Sequence, residues 1–317
     1  MQNFMKRPRT IFARPIQEEL GFGKTVTTAG RLMNADGTFN VQRQHLSPWD
    51  NIYFYLITMP WWRFFLLAVL SYLLINLIFS GLYLLIGVNQ LAGTETGDFW
   101  HNFLIAYFFS TQTLTTVGYG HVYPDGWTAN FVASIESFAG LLAFALMSGL
   151  LYGRFSRPTA KIVFSHVLLV APYRDGQGVM FRMGNGRKSE LIETEVQIIL
   201  AMNQPEENGS LVRRFYALPL EISKVSFFSL SWTVVHHLNE NSPLWGFSPQ
   251  ELVDANAEFM VLVKGTDEAN QQLVHARRSY TADDMVWNAR FQPVIGRNSR
   301  GLPYVLNRQI GAYERIG

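Results

Sequence analysis

The feature that most restricts this chain is a gap in its charges: no Lys or Arg occurs between Arg63 and Arg154. Inside that gap, residues 64–86 read FFLLAVLSYLLINLIFSGLYLLI without one formal charge. A bilayer core about 30 Å thick takes roughly 20 helical residues to cross, so this run predicts a membrane-spanning helix. A buried helix of a soluble protein would normally show a polar face at such a length. Residues 130–153, NFVASIESFAGLLAFALMSGLLYG, predict a second span with a single charge, Glu136, near its start. A charge at the bilayer centre costs at least about 2.5 kcal/mol, which places Glu136 near an interface or facing protein.

Basic residues flank the pair of spans: Lys6 through Arg63 precede them, and Arg154, Arg157 and Lys161 follow. The positive-inside rule then puts both termini in the cytoplasm of a multi-pass cell-membrane protein. The linker between the spans faces the other side, where Glu95, Asp98 and Asp125 favour cations weakly, through salt screening. After an N-terminal cytoplasmic segment, residues 1–46, residues 47–63 mix Trp49, Tyr53, Tyr55, Trp61 and Trp62 with polar groups, as a helix lying at the lipid interface does. A net charge of only +2, with no nucleic-acid reader motif, argues against a DNA or RNA partner. The absence of cysteine excludes a disulfide framework, a zinc ribbon and a thiol nucleophile. No nucleophile, base and orienting partner assemble from the motifs, so neither an enzyme nor a cofactor is expected.

The linker is too apolar for a surface loop. Phe99, Trp100, Phe103, Leu104, Ile105, Tyr107, Phe108 and Phe109 crowd one helical length, which reads as a re-entrant helix within residues 99–120. It runs into Thr116, Val117, Gly118, Tyr119 and Gly120. This string is the known signature of a potassium-channel selectivity filter, a match to a familiar example rather than a derivation. The chemistry nevertheless demands such residues. A dehydrated K⁺, the permeant ion, exchanges its water shell for backbone carbonyls, here those of Thr116, Val117, Gly118 and Tyr119. Gly118 and Gly120, lacking Cβ, allow the dihedrals that aim those carbonyls at one axis, and the Thr116 hydroxyl adds a ligand at the inner end. Irregular backbone at membrane depth is tolerated where it lines a watery path or is packed in protein. One filter strand per chain and a ring of four imply a homotetramer.

Past the second span the pattern changes to short runs rich in β-branched and aromatic residues, at 167–170, 179–183, 196–200 and 259–263. Turn-forming clusters at 174–178, 184–186, 205–209 and 265–268 punctuate them, as in an all-β sandwich. The segments FSRPTAKIVFSHVLLV, FRMGNGRKSELIE, FSLSWTVVHHL, SPLWGFS and VHARRSYTADDMVWNARF occur in this order. Together with the two-span pore they resemble prokaryotic inward-rectifier-type (Kir) potassium channels, over about residues 47–291. The resemblance implies a membrane α-helical pore domain, residues 64–155, with a re-entrant pore helix. It also implies a C-terminal immunoglobulin-like β-sandwich, residues 156–317, that tetramerises in the cytoplasm, extends the pore and regulates it.

Carried over residue by residue, the resemblance sets Tyr152 at the inner-helix bundle constriction and Phe144 at the cavity position where strong rectifiers have an acid or Asn. Without that acid, block by Mg²⁺ or polyamines should be weak. Glu193 matches an acid of the cytoplasmic pore, although Lys224 and Lys264 lie close to it in the alignment. Arg154, Arg157 and Lys161 fall where the family binds anionic phospholipids, each basic residue contributing about 1 kcal/mol near an anionic leaflet. Gln112 and His121 replace the Glu and Arg that brace the filter in many animal relatives.

Other readings fail on particular residues. GFGKT at residues 21–25 lacks the glycine a phosphate loop needs at the place of Glu18, and no strand precedes it. His236 and His237 would point to opposite faces of a strand, which argues against a shared metal. No Gly-rich nucleotide fingerprint follows Tyr152, and the spans carry no sensor arginines. The rival of a different class is a membrane-anchored β-sandwich sensor with a silent filter; it would conduct no K⁺.

Overall fold

The computed structural model describes residues 15–16, 31–41, 51–156, 160–187, 189–206 and 210–316. The chain divides into two units, residues 44–157 and residues 1–43 together with 158–317. GFGKT and Arg157 lie outside the described residues.

The first unit is helical. A short α1, Ile52–Thr58, is separated by Pro60 from α2, Trp61–Ile86. The re-entrant helix α3 is Phe99–Leu114, and α4 is Trp127–Phe155. The interfacial helix expected over 47–63 is therefore shorter among the described residues, because Pro60 caps a new helix and hands Trp61, Trp62 and Arg63 to the span. The first span ends at Gly87, whose φ of 97° few other residues adopt at low cost. The second begins three residues before its apolar run, after Gly126, and extends through Arg154 to Phe155. Hydropathy marks where a helix is apolar; backbone geometry decides where it stops. Two short strands, β1 (Leu91–Ala92) and β2 (Tyr123–Pro124), pair across the linker between the spans.

The second unit is a two-layer sandwich. Its strands are β3 (Ile162–Phe164), β4 (Leu168–Tyr173), β5 (Gly176–Asn185), β6 (Leu191–Pro205), β7 (Leu211–Leu218), β8 (Lys224–Phe228) and β9 (Ser231–Leu238). After a capped helical turn, α5 (Pro249–Asp254), come β10 (Glu258–Asp267), β11 (Gln272–Thr281) and β12 (Met285–Trp287). Among the described residues, one sheet runs β11-β10-β6-β7 with β8 also on β6. The other runs β12-β4-β5-β3 with β9 also on β5. Leu168, Phe181, Met183 and Val234 meet Leu200, Phe259, Val261 and Val263 between the layers. Residues facing this core recur at every second position, as Leu168 and Val170 do in β4 and Phe259, Val261 and Val263 in β10, while Leu169, Ala171 and Met180 on the other face are buried in a second cluster with Ala289.

Several glycines expected in turns lie within strands instead. Gly184 sits in β5 and Gly265 in β10. Gly265 faces a bulge where Glu193 and Thr194 of β6 oppose a single residue of β10, and Glu193 takes φ 49°. A Cβ on Gly265 would press on the Thr194 hydroxyl, so the glycine serves close strand approach rather than chain reversal.

The N-terminal segment is expected from the sequence as a separate piece, and its described residues 31–41 pack on the sandwich. Residues 31–41 turn through Asn34-Ala35-Asp36-Gly37 and cover the outer face of the β6/β7/β10 sheet with Leu32, Met33 and Phe39. Gly37 has φ 84°, and a side chain there would collide with Arg277. Glu258 is the anchor. Its carboxylate accepts from the amides of Leu32 and Met33, both at 2.8 Å, from Ser279 Oγ at 2.9 Å and from Arg213 Nη2 at 2.9 Å. Both charged side chains are 1% exposed.

His236 lies inward on β9, while His237 is partly exposed. Its Nδ1 meets the Pro219 carbonyl at 2.7 Å and must donate there, so Nε2 accepts from Ser242 Oγ at 2.8 Å. Burial holds its pKa below the ordinary 6.5. An imidazole neutral in the fold but charged when unfolded leaves stability intact above about pH 6.5 and erodes it as pH falls towards the folded pKa. Thermal unfolding of the detergent-solubilised protein should therefore fall between pH 7 and 5. A His236→Gln variant should flatten that slope; an unchanged slope would refute the assignment.

Candidate functional site

α3 begins at Asp98, whose carboxylate accepts from the His101 amide at 3.0 Å, and it ends one residue before Thr115 turns the chain. Thr116 then adopts φ 61°, Gly118 φ 49° and Gly120 φ 76°; Val117 and Tyr119 between them keep negative φ. A backbone alternating between left- and right-handed regions turns successive carbonyls toward the same side. For a β-branched threonine the left-handed region is strained by roughly 1–2 kcal/mol, a strain that clusters at functional sites. The turn is held from α3: Thr116 N donates to Thr113 O at 3.1 Å, and the Gln112 carbonyl accepts from Val117 N at 3.0 Å and Gly118 N at 3.3 Å. Val117 and Tyr119 are exposed in the single chain, Tyr119 by 80%.

Beyond the filter, the linker is tied down by the β1/β2 pair, by Asp125 N on the Gln90 carbonyl at 2.9 Å, and by the Asn130 amide on Pro124 O and Gly126 O. Gly93, with φ 91°, lets the chain pass directly against the His121 carbonyl. These ties fix both ends of the segment that runs from α3 to α4.

Phe144, 75% exposed, shares a cavity of about 490 Å³ with Thr116, Leu114, Gly140, Ile75 and Met147. The structure thus brings the candidate cavity residue and the first residue of the candidate filter together. Tyr152 stands exposed two turns further along α4 and is not among that cavity's lining residues. Arg154 points into the protein: its Nη1 and Nη2 donate to the carbonyls of Leu56 (2.5 Å) and Met59 (2.7 Å), and the guanidinium lies 4.4 Å from the Trp61 ring centre. It clasps the α1/α2 corner to the end of α4. Two of the Arg154 nitrogens are thus engaged within the protein, while Lys161 is exposed. In the sandwich, Glu193 is ion-paired with Lys224 at 3.3 Å, and neighbouring Glu195 with Lys264 at 2.8 Å. The Lys264 hydrogen bond, aided by Gln197, keeps the Glu195 carboxyl below its ordinary pKa.

Sequence reasoning missed a buried polar cluster behind α3. Glu136 accepts from Ser110 Oγ at 2.5 Å and from Tyr83 OH at 2.7 Å, and Asn76 Oδ1 lies 3.1 Å from Ser110 Oγ. A signal existed in the spacing: Asn76, Ser80 and Tyr83 recur at i, i+4 and i+7 of an otherwise apolar span, and all three are fully buried.

Residues 162–311 match the family model for the inward rectifier potassium channel C-terminal domain, and residues 69–156 match the ion channel model. The inward rectifier potassium channel Kirbac3.1 of Paramagnetospirillum magnetotacticum is 36% identical over 268 residues, 84% of this chain and 89% of that protein. The ATP-sensitive inward rectifier potassium channel 12 of Gallus gallus is 32% identical over 74% of this chain. The human inward rectifier potassium channel 18 is 32% identical over 62% of it. The matches cover 59% and 47% of those two vertebrate proteins, which are longer.

Proposed function

The chain belongs to the inward rectifier potassium channel family, and on that premise we propose that Thr116, Val117, Gly118 and Tyr119 supply the K⁺-coordinating carbonyls of its filter, closed by Gly120. The protein is a membrane ion channel for which K⁺ is the permeant ion, not an enzyme. What carries the filter assignment is the alternation of φ at Thr116, Gly118 and Gly120, directly after α3 and between two helices long and apolar enough to span. The C-terminal end of α3 adds about half a negative charge beside Thr116, which favours a cation there.

Four chains make the ring, with both termini in the cytoplasm. The exposed rings of Phe144 and Tyr152 face the axis and close the path where the four α4 helices converge, and the sandwich domains bias that closure. Phe144 provides no carboxylate for Mg²⁺ or polyamines, and Lys224 compensates Glu193, so rectification is weak. Lys161 and Arg157 are the basic residues offered to anionic phospholipid headgroups.

Purified tetramers reconstituted in anionic liposomes should take up ⁸⁶Rb⁺ in a Ba²⁺-sensitive manner that external Na⁺ does not replace. Adding phosphatidylinositol bisphosphate should change the rate, with inhibition expected from the resemblance to prokaryotic channels. No flux from confirmed tetramers in any lipid would overturn the conducting role and favour the silent-filter sensor.

A further inference from the structure

We propose that Glu136 is a positioning residue for the selectivity filter, acting through Ser110 to fix the rotation and depth of α3. The inference rests on the filter reading above. Glu136 on α4 receives hydrogen bonds from α3 through Ser110 and from α2 through Tyr83, so one carboxyl group joins α2, α3 and α4. Glu136, Ser110, Tyr83 and Asn76 are each 0% exposed. A serine hydroxyl has one proton to give, and at 2.5 Å from Glu136 that proton is directed to the carboxylate. The Asn76 side chain is itself held by its Nδ2 on the Tyr72 carbonyl at 2.7 Å.

The placement of Ser110 gives the network its leverage. Ser110 lies one turn before Leu114, where α3 ends and the filter begins. Gln112, between them, accepts the amides of Val117 and Gly118, so any rotation of α3 is transmitted to the filter backbone. One turn along α4 from Glu136, Gly140 abuts the Leu114 carbonyl so closely that no Cβ fits. α4 therefore grips α3 twice, by a hydrogen bond at Ser110 and by close packing at Leu114.

Apolar side chains would hold three helices together equally well in a bilayer, and a buried ionic group is a poor source of stability. What a buried hydrogen bond between helices adds is a unique geometry, because it forms at only one rotation and depth of the helices it joins. In a chain without the charged filter brace of many animal relatives, Glu136 supplies the equivalent constraint from behind.

The test compares wild type with Glu136→Gln, Glu136→Leu and Ser110→Ala, each as reconstituted full-length tetramers verified by size-exclusion chromatography. The readout is the discrimination between K⁺ and Na⁺ in competing for ⁸⁶Rb⁺ uptake. Glu136→Gln, which still accepts from Tyr83 and can exchange a hydrogen bond with Ser110, should retain near wild-type discrimination. Glu136→Leu and Ser110→Ala should lose about tenfold, the loss expected for one well-placed hydrogen bond. Wild-type discrimination in assembled Glu136→Leu tetramers overturns the proposal, as does a Glu136→Gln channel no more selective than Glu136→Leu. Should Glu136→Leu fail to assemble, Ser110→Ala decides: unchanged discrimination overturns the proposal. A wild-type protein that conducts without preferring K⁺ instead overturns the filter reading.

Discussion

Tetramers carrying Gly118→Ala should show at least about tenfold less Ba²⁺-sensitive ⁸⁶Rb⁺ uptake than wild type, with assembly and thermal unfolding of the sandwich unchanged. The reason is conformational rather than steric: no atom of the chain lies within 4 Å of the place a Cβ would occupy, but φ is 49°. An alanine held there costs about 1–2 kcal/mol in each subunit, and relief by moving to negative φ would turn a carbonyl away from the axis. Four subunits multiply the penalty, and a single turned carbonyl in the ring disrupts coordination. Normal K⁺-selective flux through Gly118→Ala would mean that residues 116–120 do not coordinate the ion.

The second large effect lies in the sandwich. Glu258→Ala should destabilise that unit by about 3–5 kcal/mol, because it leaves the Arg213 guanidinium buried without its countercharge. It also strips the amides of Leu32 and Met33 of their acceptor. Burial already lowers the pKa of Arg213, and the Glu258 charge opposes that shift, so the arginine depends on its partner. Chemical denaturation of the purified channel should show the loss, and hydrogen exchange should show residues 31–41 losing protection before the sheets do. A paired Arg213→Met, Glu258→Leu variant should recover much of the stability, because no lone charge remains. Protection of residues 31–41 unchanged in Glu258→Ala would refute the anchor.

The parts of this protein differ in how openly the sequence declares them. The two spans, the re-entrant helix and the filter are consecutive in the chain, and each is governed by local rules: charge-free length, aromatic crowding, glycines where φ is positive. The alternating runs of the sandwich were legible for the same reason. Other assignments needed partners far away in sequence. Gly184 and Gly265 carry a turn residue's chemistry, yet sit within strands because a neighbouring strand approaches closely. Arg154 has the composition of a lipid anchor, and only the carbonyls of Leu56 and Met59 reveal its use inside the protein.

By itself, then, the sequence determined that this chain carries two helices long and apolar enough to cross a bilayer, with a candidate filter between them, and continues as a β-sandwich, because period, charge and glycine placement act over a few residues. The tertiary structure alone decided that residues 31–41 close one face of that sandwich through Glu258, and that Glu136 reaches Ser110 and Tyr83 behind the pore helix. Buried polar groups need partners wherever the fold brings them, and those partners lie tens to hundreds of residues away, beyond the reach of any local pattern.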